Sequence, residues 1–117
     1  MSCSCNAIVV DQVLLNAVTT GSTAYQSRSG SAPQIGYHHH IKWASGVTAG
    51  AVTIECADDD DYTGTWASMM VVTFSGTAPN QDYVYTPGRP KAIRHRVSTT
   101  VSGGASPSVT TRLVGSS

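Results

Sequence analysis

Two stretches of this chain alternate between apolar and polar residues with a period of two, and that period confines both to β-strands. In Gln34–Trp43, Ile35, Tyr37, His39, Ile41 and Trp43 fall on one side and Gly36, His38, His40 and Lys42 on the other. In Lys91–Val101, Ile93, His95, Val97, Thr99 and Val101 oppose Arg94, Arg96, Ser98 and Thr100. The remainder reads as shorter strands between turn residues. Tyr25–Arg28 is a weak strand, Ala51–Cys56 puts Val52, Ile54 and Cys56 opposite Thr53 and Glu55, and Tyr83–Thr86 is short. Trp66–Phe74 is nearly continuous apolar sequence, the signature of a strand covered on both faces. Ser102-Gly103-Gly104 suits a hairpin connection to a last strand over Ser108–Val114. Ala7–Val18 has partly helical spacing but is rich in β-branched residues, so a strand or extended arm is expected.

Turn signals every 8 to 12 residues between such strands indicate an all-β fold, a sandwich or small barrel of about seven or eight short antiparallel strands. The expected organisation is residues 1–18 as an N-terminal arm or first strand and residues 19–117 as one β-sandwich domain. At 117 residues the chain has room for one core. Composition agrees with strands: Ser and Thr supply 29 residues and Val 13, while charged side chains are 12%. A surface so poor in charge suits packing against neighbours.

Seven basic and seven acidic side chains leave no net charge, which argues against nucleic acid as a partner. No apolar run approaches the roughly 20 residues of a membrane span. The start, Met1-Ser-Cys-Ser-Cys-Asn, lacks the basic region of a signal peptide, so synthesis in the cytosol is expected. Three cysteines, Cys3, Cys5 and Cys56, leave one over from any closed disulfide framework. Cys3 and Cys5 are either free thiols or an inter-chain bridge from the arm.

Two segments resemble small β-sandwich proteins of tailed bacteriophage virions, the head-decoration, cement and fibre-like accessory proteins. One is Ala49-Gly-Ala-Val-Thr-Ile-Glu-Cys-Ala with the acidic run and Tyr62-Thr-Gly-Thr-Trp66 behind it. The other is Ala92-Ile-Arg-His-Arg-Val-Ser-Thr-Thr-Val-Ser-Gly-Gly104 followed by Ser108-Val-Thr-Thr-Arg-Leu-Val-Gly115. The likeness spans roughly Trp43 to Gly115. It implies a jelly-roll-like sandwich that forms a homo-oligomer, a trimer by preference, on a capsid or neck protein in the virion. Gly64, Trp66, Arg94, Arg96, Gly103 and Gly104 carry over as structural positions. The triple histidine and the Cys-x-Cys arm are not features of that family.

Several constellations invite chemistry. His38 and His40 would stand on one face about 7 Å apart, a metal candidate that Glu55 or an aspartate would have to complete; no His-Glu-x-x-His or Cys-x-x-Cys accompanies them. Asp58, Asp59, Asp60 and Asp61 lack the spacing and glycine of a calcium loop and read as a solvated turn, or as the partner of a basic strand on another subunit, Arg94 and Arg96 included. His39 and His95 face inward, as buried neutral rings or as residues on an assembly axis. Cys56 with either histidine would be a thiol–imidazole pair only if the fold joined them. No Gly-x-Ser-x-Gly elbow exists, and Glu55 is the one glutamate, so neither acyl-transfer nor paired-carboxylate chemistry has a candidate. No enzyme and no cofactor is expected. The expected function is a structural virion protein that decorates or cements a particle. The alternative is a carbohydrate- or receptor-binding module of a tail or fibre, its aromatic residues forming a sugar platform.

Overall fold

The computed structural model describes residues 8–26, 36–58, 63–76, 80–88 and 90–116. They form eight strands: β1 Ile8–Val18, β2 Ser22–Gln26, β3 Gly36–Trp43, β4 Ala49–Ala57, β5 Ala67–Thr73, β6 Gln81–Pro87, β7 Ala92–Ser102 and β8 Val109–Ser116. No described residue is helical. One antiparallel sheet runs β1-β8-β3-β6 and the other β2-β7-β4-β5. Successive strands therefore cross between sheets except at β4–β5, and the order of the two sheets is that of an eight-stranded jelly roll.

The alternation described above sets what fills the space between the sheets. Tyr37, His39, Ile41 and Trp43 of β3 are fully enclosed, as are Ile93 and His95 of β7. Val52, Ile54, Val101, Val109 and Leu113 complete the centre, with Val10, Leu14 and Leu15 of β1 closing one side. Val97 is half-buried at the margin. Thr99, expected inside, is exposed, because the β4–β7 register shifts on either side of Ala51, which turns the strand over at Thr99 and back again by Val101.

Of the alternatives for the N-terminal segment, residues 8–18 form a first strand: they pair with β8 of their own sheet, Asp11 opposite Val114 and Gln12 opposite Leu113. Two expectations need correction. Trp66–Phe74 is not covered on both faces. Its strand, β5, lies at a sheet edge, Val72 alone of its residues is buried, and Val71 is 56% exposed. Ser102-Gly103-Gly104 is not a hairpin, since β7 and β8 belong to different sheets. The two glycines instead carry the chain across. Both have positive φ, and a Cβ on Gly103 would stand 2.5 Å from the Thr48 backbone nitrogen. Cys3, Cys5, Asp59, Asp60, Asp61 and Tyr62 lie outside the described residues.

Candidate functional site

Among the described residues, three clusters of polar side chains are set by strand register. Deepest is a hydrogen-bonded chain across the sandwich. His39 Nδ1 and His95 Nε2 stand 2.7 Å apart, joining the sheet of β3 to the sheet of β7. His39 Nε2 reaches Thr86 Oγ1 at 2.8 Å, and His95 Nδ1 reaches Thr111 Oγ1 at 2.8 Å. All four side chains are buried. The Leu15 N–H donates to Thr111 Oγ1 at 3.1 Å, and the Thr111 hydroxyl hydrogen can be assigned to His95 Nδ1. Assigning protons onward from there, His95 Nε2–H donates to His39, and His39 Nε2–H donates to Thr86. Both rings are then neutral and every nitrogen is satisfied. Burial, with the neighbouring His38 adding to it, lowers His39 to about 4. Burial, with His39 adding to it, lowers His95 to about 3. Both are enclosed by their own domain, which removes the idea of a histidine on an assembly axis.

The second cluster covers the outer face of the β4–β7 pair. Glu55 sits opposite Arg94 and two residues on from Thr53, which is opposite Arg96. Arg94 Nη2 and Nε donate to Glu55 Oε1 at 2.6 and 2.8 Å, and Arg96 donates to the same carboxylate at 3.2 Å. The Arg94 guanidinium lies 4.7 Å from the centre of the Trp66 ring. Glu55 is thereby buried on what would otherwise be a solvent face. Arg94 and Arg96, expected to meet an acidic run on another subunit, hold the carboxylate of Glu55 in their own chain. Gly64 and Asp58 are exposed, Gly64 on the approach to Trp66 and Asp58 just beyond β4.

The third place is the outer face of β3 and β6. The Trp43 N–H donates to the Asn80 carbonyl, which fixes the phase of this ladder. His40 and His38 are consequently in non-hydrogen-bonded positions opposite Tyr83 and Tyr85, where cross-strand side chains come closest. His40 and Tyr83 stack in parallel at 4.4 Å, and His38 and Tyr85 meet at 4.8 Å. His40 Nε2–H donates to Gln81 Oε1 at 2.7 Å. Tyr83 remains 73% exposed. The histidines expected as metal candidates are partners of aromatic rings. Among the described residues no group of three His, Cys, Asp or Glu side chains is arranged to hold a metal ion.

The other aromatics divide cleanly. Trp43 and Tyr37 are core residues, Trp43 Nε1–H donating to Asp82 at 3.1 Å, and Tyr25 packs edge-on to Tyr37. Cys56 is half-buried, and its thiol is pushed up by burial and by Asp58. That is the opposite of an activated nucleophile, and both inward histidines are committed to each other and to threonines. The sequence marks His39, His95, Arg94, Arg96, Trp66 and Glu55 but not how they pair. Those pairings, and the parts played by Thr86 and Thr111, follow only from aligning strands that are far apart in the chain. Comparison with protein-family models and with curated proteins finds no match.

Proposed function

We propose that this protein is a structural component of a bacteriophage particle, a capsid decoration or cement protein that self-associates and binds a capsid or neck protein. The observation that carries the reading is the outer face of β3 and β6, where Tyr83 and Tyr85 stand exposed on a rigid sheet and are braced from beside by His40 and His38. Exposed aromatic side chains of low conformational freedom are efficient contact residues. The interior polar groups of the sandwich serve its own cohesion. Jelly rolls also house viral capsid and lectin domains, an analogy at the level of fold. Mixing the purified protein with particles stripped of it, then sedimenting, tests the reading. Native protein should pellet with particles, and a Tyr83→Ser, Tyr85→Ser variant should stay in the supernatant. Equal pelleting of both, or of neither, refutes this face as the contact.

The parallel stack of Tyr83 on His40 favours a second reading, a carbohydrate-binding module. A ring face left open beside the Gln81 amide and Lys42 suits the C–H face and hydroxyls of a sugar. Binding to cell-surface glycan that is lost in the same double variant, without binding to particles, would favour it.

A further inference from the structure

A sandwich of two four-stranded sheets has four edges, and three of these carry a device against further strand pairing. β1 bears Asp11 and three register shifts, β2 is five residues long, and β6 carries Asp82 and ends in Pro87. β5 is different. Its sequence, Ala-Ser-Met-Met-Val-Val-Thr, has neither a charge nor a proline, and its single register shift, between Ser68 and Met70, leaves the pairing with β4 regular from Met70 to Thr73. The Phe74 N–H donates to the Gly50 carbonyl at 3.0 Å. In an antiparallel ladder that phase directs the main chain of Val72 and Met70 toward β4 and that of Val71 and Thr73 away from it. The outward groups therefore belong to two β-branched residues, one of which is also the exposed valine. No described strand pairs with them.

We infer that β5 is the strand through which two copies of this chain join, edge to edge and antiparallel, about a two-fold axis at Val72. The inference rests on the self-association in the function proposed above, and assigns it a two-fold contact in place of the expected trimer. The partner is a second copy because this edge complements itself. With Val72 opposite its mate, Val71 faces Thr73 of the second chain, and Thr73 faces the second Val71. Each of those N–H groups then meets a carbonyl across the axis, closing both edges at once. No side chain of β5 is charged, so none brings like charge to like, and Glu55 is already paired with Arg94 and Arg96 within each chain. On the outer face Val71 would cover Thr73 of its mate, a β-branched cross-strand pair. The two β2-β7-β4-β5 sheets become one continuous sheet of eight strands.

Sedimentation equilibrium and amide hydrogen exchange test this on the intact chain. The expected mass rises from one chain to two as concentration increases toward about 1 mM, the weak end of specific association. Over the same range exchange at Val71 and Thr73 should slow, while exchange at Thr53, already within the sheet, should not change. Val71→Lys places a charge at the edge and should keep the protein monomeric; Val13→Lys, at an exposed valine on β1, should not. Thr73→Pro, which removes one outward N–H without touching the β4 ladder, should act as Val71→Lys does. Circular dichroism confirms that each variant is folded. A monomer at about 1 mM would overturn the inference together with self-association. A dimer or trimer indifferent to Val71→Lys and Thr73→Pro would overturn the β5 contact and leave self-association through another surface standing.

Discussion

His39 and His95 are the residues whose environment differs most from water, and their cost appears when the pH falls. In the unfolded chain each titrates near 6.5; in the sandwich, burial holds them at about 4 and about 3. Above pH 6.5 both states are neutral and the pair has no pH-linked effect. Below it the unfolded chain takes up protons that the folded one refuses, so stability falls with pH until the folded rings titrate. The slope is about 1.4 kcal/mol per pH unit for each ring, and between pH 7 and pH 4.5 the loss is on the order of 5 kcal/mol. Urea unfolding at the two pH values measures it, and a His39→Leu, His95→Leu variant should show a much flatter dependence. A second proton on the pair is costlier than the first, because it sets two N–H groups against each other. Glu55 offers the matching case for charge. Arg94→Ala should destabilise by about 3 kcal/mol, more than Arg96→Ala, since the Arg94 side chain is 23% exposed against 41% and its guanidinium lies over Trp66. Denaturant midpoints of the two variants give the order.

The strands divide into those whose own sequence declares them and those that depend on a neighbour. β3 and β7 were legible because both faces of each have a definite fate: Ile41 and Ile93 inside, Lys42 outside, and Arg94 turned outward onto Glu55. β5 was misread because a run such as Met69-Met70-Val71-Val72 looks the same whether or not something covers it, and cover is supplied by distant parts of the chain. The candidate site was legible in half. His38 and His40 could be assigned to one outer face from period alone, but Tyr83 and Tyr85 join them only through a register set by Trp43 and Asn80. The crossing at Gly103-Gly104 resembles a hairpin in sequence because glycine marks a turn without saying which sheet follows. Core substitutions should follow the observed burial. Ile54→Ala and Leu113→Ala should each cost about 3 kcal/mol. Val97→Ala, at the half-buried margin, should cost about 1 kcal/mol, all read from thermal or denaturant unfolding. Gly103→Ala should cost about 2 kcal/mol, combining a left-handed backbone with a clash on Thr48.

At the scale of the molecule, the order of strands makes nearly every contact a distant one. β1 pairs with β8 and β2 with β7, so each sheet closes only after almost the whole chain is present. Folding should accordingly be slow for a domain of this size, milliseconds to seconds, and stopped-flow refolding should give one such phase. The β1–β8 pairing has a mechanical side as well. Ile8 lies opposite Ser116 at the same end of the sandwich. A pull applied at those two points runs across the strands, so it loads the ladder one rung at a time and peels β1 from β8 as a zipper opens. A pull applied between residues at opposite ends of β3 and β8 would instead load many rungs together in shear. Tension at its ends therefore finds this molecule soft, and tension carried across the face of its sheet finds it stiff; single-molecule pulling from the two pairs of points should show the lower force for the first.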